Sequence, residues 1–220
     1  MNQELKDILT EISHGETRNS VTISDVLKTD FDILPQDFIS FAEVDLASDY
    51  EHNVINALSN SKRALDCQLD IILLSFGYYK ESQRNRWSFP KKTDLMNELG
   101  LVAPRVLKKI NKQRNLLEHQ FVKPNRESVE DFIDIVMLFI ASTERYSSNF
   151  YPQIWLKNKT FDKKYGLFSD YKNSQIKINI YQYDKGGYGS ESKDVLRSFE
   201  LTTSDKEYNE VLKIYLSHYE

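Results

Sequence analysis

The chain has 220 residues, 40% of them hydrophobic and 12% aromatic, with seven glycines and five prolines; this argues against disorder and supplies enough apolar mass for a core. Its single cysteine, Cys67, excludes an internal disulfide and a cysteine-rich zinc site. A net charge of −4 argues against a protein that binds nucleic acid over its whole surface.

The first residues, MNQELKDILTEI, are charged from the start, and the longest apolar run, residues 132–141, is short and broken by Asp134. Neither a signal peptide nor a membrane span is expected, no membrane partner is expected, and the expected location is the cytoplasm. Leu5, Ile8, Leu9 and Ile12 stand at helical spacing, so a short amphipathic helix is expected before His14 and Gly15. Residues 22–34 carry no clear period. Ser24 is a candidate cap for a helical turn there, and Pro35 marks a boundary, so residues 1–35 read as an N-terminal helical extension. A further helix is expected over residues 38–47.

The strongest helical pattern is residues 53–76, where Val54, Leu58, Ser61, Leu65, Leu69, Ile72 and Phe76 keep a spacing of three and four, and Gly77 offers a C-terminal cap. Residues 78–92, YYKESQRNRWSFPKK, read as a loop that mixes aromatics with cations, a composition that suits stacked bases and phosphates and equally suits ordinary packing. A short helix over residues 93–99 is closed by Gly100. Pro104 then opens residues 105–121, and Pro124 separates these from a second long helix, residues 126–146, with Val129, Phe132, Ile133, Val136, Phe139, Ile140 and Thr143 on one side. After Phe150 the period falls from 3.6 to 2. Strands are expected over residues 153–156, 165–171, 175–183 and 195–201, with DKGGYGS at residues 184–190 as a turn and a final helix capped by Ser204 and Glu207.

Charge is unevenly placed. Residues 77–123 carry eleven Lys and Arg against four acids in a chain whose total is −4, which points to a cationic face on an acidic body. At the centre lies RVLKKINKQRNLLEHQF, residues 105–121. Leu107, Ile110, Leu117 and Phe121 share a helix face, and the position that completes the stripe is Arg114. A guanidinium withdrawn from water needs a partner. Glu118, four residues on, could be that partner; the alternative is that Arg114, Asn115 and His119 form an anion-binding catalytic set. Five residues of helix give about 140° of rotation and about 7.5 Å of rise, so Arg114 and His119 of one copy diverge, whereas two copies about a two-fold axis would gather both around one phosphate. The GGYG run at residues 186–189 lacks the Lys and Ser/Thr of a phosphate loop, and His14, His52 and His218 lack ligand spacing, so no metal site is expected.

Residues 56–77 (NALSNSKRALDCQLDIILLSFG), residues 110–121 (INKQRNLLEHQF) and the amphipathic helix at 127–146 together resemble the HEPN superfamily. That family's motif is an Arg, a polar residue and a His four to six positions after the Arg, which maps onto Arg114, Asn115 and His119. The resemblance implies a mainly α fold: a HEPN-like helical bundle at residues 36–149 that dimerises through the motif helix, followed here by a small C-terminal β-meander with a terminal helix at 150–220. It also implies metal-independent, cofactor-free cleavage of single-stranded RNA through 2′-OH attack, in a toxin or phage-defence setting with an antitoxin or partner protein. Arg84, Arg86, Trp87, Lys108, Lys109 and Lys112 are the candidate RNA-binding residues. Two alternatives stay open: a catalytically inactive HEPN-like domain that binds RNA, nucleotide or protein, and a structural adaptor in which Arg114 pairs with Glu118.

Overall fold

The chain forms two compact units, residues Met1–Leu27, Leu74–Lys80 and Ser148–Glu220 in the first, which holds every described strand, and Lys28–Leu73 and Glu81–Ser147 in the second. The computed structural model describes residues 3–13, 17–101, 110, 112, 123–158, 163–182 and 195–217. In chain order its elements are α1 (Gln3–Ser13), β1 (Thr17–Asp25), α2 (Pro35–Ala47), α3 (Asn53–Ser75), α4 (Tyr79–Arg84) and α5 (Phe89–Glu98). There follow α6 (Arg126–Thr143), α7 (Arg145–Ser148), β2 (Phe150–Asn158), β3 (Lys163–Asp170), β4 (Gln175–Gln182), β5 (Val195–Thr202) and α8 (Tyr208–Leu216).

In the first unit, five antiparallel strands run in the order β1-β2-β3-β4-β5. Alternation puts Ile154 and Leu156 of β2, Tyr165 and Leu167 of β3, and Ile176, Ile178 and Ile180 of β4 on one buried face. Leu5, Ile8, Leu9 and Ile12 of α1 are buried as their spacing predicts, and the Tyr165 hydroxyl donates to Glu11 at 2.7 Å, which fixes α1 over that face. Helix α8 packs against α1 and buries Tyr208, Val211, Leu212 and Tyr215.

The sequence misses β1. Ser24 caps no helical turn: it lies in a strand that pairs with β2, Thr22 opposite Ile154, so the segment read as a helical extension supplies an edge to the C-terminal sheet. Pairing with a strand so distant in sequence leaves no local signature. The capping box at Ser204 and Glu207 is also absent. Helix α8 starts at Tyr208, and Asp205 instead accepts from the Thr202 N–H and hydroxyl at 2.8 and 2.9 Å, turning the strand end before the helix can begin. The GGYG turn and the histidines His14 and His218 lie outside the described residues.

In the second unit, α2 begins at Pro35, whose missing N–H costs nothing at a first position, while the Leu34 N–H donates to Asp37 at 2.8 Å. Helix α3 buries Val54, Leu58, Leu65, Leu69 and Ile72 as expected. Helix α6 is capped by Asn125, which accepts from the Ser128 N–H, and buries all seven residues of its expected stripe. The two long helices meet through a buried hydrogen bond from Gln68 to Thr143 at 2.9 Å, and α2 packs on α6. Residues 78–92 do not form a loop: they hold α4 and the start of α5, which Pro90 enters in its first turn. Gly77 and Gly100 take left-handed φ of 77° and 73°, the conformations that end α3 and α5.

Candidate functional site

Arg114, Asn115 and His119, together with Lys108 and Lys109, lie outside the described residues. Two residues of the motif stretch are described, Ile110 and Lys112, and both are helical. Ile110 is fully buried and Lys112 is exposed. Two residues are about 200° apart on a helix, so this contrast is what an amphipathic helix produces. A fully buried isoleucine is worth about 1.5–3 kcal/mol. Arg114 stands four residues after Ile110 in the sequence.

The remaining candidates gather at the link between α4 and α5. Arg84 is the last residue of α4 and is exposed. Asn85 continues the helical hydrogen bonding to Glu81 at 2.9 Å, and Arg86, also exposed, reverses the chain with a left-handed φ of 48°. A non-glycine residue in that region costs of order 1–2 kcal/mol. The Trp87 N–H then donates to the Ser82 carbonyl at 2.9 Å, which closes the turn and leaves the indole half-buried. The Lys91 ammonium lies 5.2 Å from the centre of the Trp87 ring, within cation–π range.

Lys92 does something else. It is largely buried and forms an ion pair with Asp70 of α3 at 2.5 Å, an acid that also accepts from Gln83 at 3.5 Å. Adjacent helix residues are about 100° apart, so one of two consecutive lysines faces inward and the other outward. The sequence reading omitted Lys91 from the site. The signal available was Pro90 at a helix start, which fixes the phase in which Lys91 and Lys92 diverge.

Arg84, Arg86, Trp87 and Lys91 therefore form one local cationic and aromatic group, and Lys112 is a further exposed cation of the same unit. Cys67 takes no part in it. The thiol is half-buried against the Ile33 carbonyl at 3.6 Å, and burial, followed by the charges of Asp70 and Asp37, pushes it up to about 11. Among the described residues no three His, Cys, Asp or Glu side chains gather to hold a metal ion, and no helix is long and apolar enough to cross a membrane. Compared with known proteins, the chain matches no family model, no curated protein and no solved structure.

Proposed function

We propose that this protein is a metal-independent endoribonuclease of HEPN type, acting on single-stranded RNA as a dimer through its motif helix. The observation that carries the reading is the motif stretch itself: Arg114, Asn115 and His119 follow a buried Ile110 and an exposed Lys112 in a unit of long amphipathic helices. The cationic turn at Arg84, Arg86, Trp87 and Lys91 supports it, because two exposed arginines in the same turn as an indole with a lysine ammonium over it suit phosphates and unpaired bases.

The chemistry follows from the side chains. An unperturbed imidazole titrates near pH 6.5, so one His119 can accept the proton of a ribose 2′-OH while its symmetry mate, protonated, delivers one to the leaving 5′-oxygen. The 2′-oxygen attacks phosphorus, the P–O5′ bond breaks, and the products are a 2′,3′-cyclic phosphate and a 5′-hydroxyl. Arg114 neutralises charge growing on the phosphorane, and Asn115 orients a phosphate oxygen or the imidazole. A base and an acid drawn from two copies of one residue give a bell-shaped rate profile.

The test is incubation of the purified chain with single-stranded RNA in EDTA, beside His119→Ala, Arg114→Ala and an all-DNA oligonucleotide. Expected are cyclic-phosphate ends from RNA alone, and losses of about 100-fold or more in both variants. Cleavage that survives His119→Ala refutes the assignment. No cleavage of varied RNA by the wild type returns the chain to the two alternatives, an inactive binding domain or a structural adaptor.

A further inference from the structure

The five-stranded sheet has a second face, opposite the one that α1 covers. Register places Trp155 of β2 opposite Gly166 of β3, Gly166 opposite Asn179 of β4, and Asn179 opposite Ser198 of β5, so these four residues form one row across that face. Three aromatic rings share this face, Trp155 of the row with Phe168 and Tyr181, each partly exposed. The Trp155 ring centre is 5.4 Å from that of Phe168 at 87° and 5.4 Å from that of Tyr181 at 47°. Gly166 makes this possible: a Cβ there would come within 2.7 Å of the Phe168 ring and 2.8 Å of the Trp155 ring.

One ring is held by hydrogen bonds and the group is flanked by charge. Asn179 donates its amide to the Tyr181 hydroxyl at 3.0 Å and accepts from the Ser198 hydroxyl at 2.9 Å, so Tyr181 is fixed by a short chain of hydrogen bonds. The Lys164 ammonium stands 4.0 Å over the Trp155 ring centre. Lys157 follows Trp155 by two on β2, and Lys177 stands opposite Phe168 on β4. Glu200 is paired with Lys177 at 3.2 Å, and Asp170, at the strand end, is turned to Asn173.

We propose that this face is a platform for single-stranded RNA, with bases stacking on Trp155, Phe168 and Tyr181 and phosphates meeting Lys157, Lys164 and Lys177. The charge selects the occupant. A neutral sugar would use the rings and gain nothing from three lysines, and a duplex keeps its base faces stacked away from them. A single strand presents both a π-face and a phosphate at each nucleotide, and a lysine beside an aromatic ring answers both. The choice of RNA over DNA rests on the cleavage proposed above; the platform itself rests on the sheet.

Binding of the full chain to a fluorescent 2′-O-methyl RNA oligonucleotide separates the two proposals, because that probe cannot undergo 2′-OH attack. The variants are Trp155→Ala, with thermal melting as a check on folding, and the surface change Lys164→Glu. The wild type is expected to bind the single strand more tightly than a 2′-O-methyl duplex. Trp155→Ala is expected to weaken binding by about 5- to 150-fold. Lys164→Glu is expected to weaken it and to flatten the dependence of log affinity on log salt by about 0.7. Trp155-dependent binding without RNA cleavage supports the platform while removing the nuclease. Affinity unchanged in a folded Trp155→Ala and in Lys164→Glu, or a wild type that does not bind the probe, overturns the platform.

Discussion

Replacing Gly77 by alanine tests whether the turn that ends α3 is as constrained as its geometry indicates. Gly77 has φ 77°, where an L side chain costs about 1–2 kcal/mol. The added Cβ would also lie 3.2 Å from the Ser174 Cα and closer still to the Tyr208 hydroxyl. That hydroxyl is buried and donates to the Phe76 carbonyl at 3.0 Å, so moving it aside exposes a buried polar pair to a penalty of about 1–3 kcal/mol. Together these give about 2–5 kcal/mol for the first unit. With two units in one chain a global melt mixes two events. The assay is therefore urea unfolding followed by Trp155 fluorescence in a Trp87→Phe background, since Trp155 belongs to the same unit as Gly77. The Tyr208 ring carbon bearing the hydroxyl would stand 3.6 Å from the new Cβ, an ordinary contact. In a Tyr208→Phe background the same alanine should cost only the backbone part, about 1–2 kcal/mol. A loss below about 1 kcal/mol, or equal losses with and without the Tyr208 hydroxyl, refutes the reasoning.

Four further outcomes are expected. Thr143→Val leaves the buried Gln68 amide without its acceptor and should cost about 1–3 kcal/mol by denaturant titration, whereas the double change Gln68→Leu/Thr143→Val should recover part of that loss. Burial raises the Cys67 thiol from an ordinary 9.0 to about 11, so at pH 8 its thiolate fraction, and its alkylation rate by iodoacetamide, should be on the order of a hundredfold below those of a free thiol. Burial, then Tyr78 and Asp170, holds the Tyr208 phenol well above its ordinary 10.0; the folded state therefore keeps a proton that the unfolded state gives up, and the stability of the first unit should fall as pH rises past about 10. Arg86→Gly removes the left-handed penalty at an exposed residue and should raise stability by about 0.5–1 kcal/mol while weakening RNA affinity, a trade that melting and binding measured on the same sample will show.

Where local chemistry decided structure, the sequence alone was enough. The spacing of three and four in α3 and α6, Gly77 and Gly100 at helix ends, and the alternation of Ile176, Ile178 and Ile180 in β4 are local preferences reinforced by burial, and the elements formed where they indicate. The motif residues Arg114, Asn115 and His119 are legible in the sequence as a pattern of residue types. The tertiary structure decided what depends on partners distant in the chain. Only pairing with β2 makes residues 17–25 a strand, because an edge strand draws half its definition from its neighbour. Only the packing of α5 shows that Lys92 is spent on Asp70 while Lys91 meets Trp87. Trp155, Gly166, Phe168 and Tyr181 are scattered over three strands, and nothing in their order says that they share a face. Register brings them together, since a period of two fixes which side each residue takes and hydrogen bonding fixes which residue it stands beside.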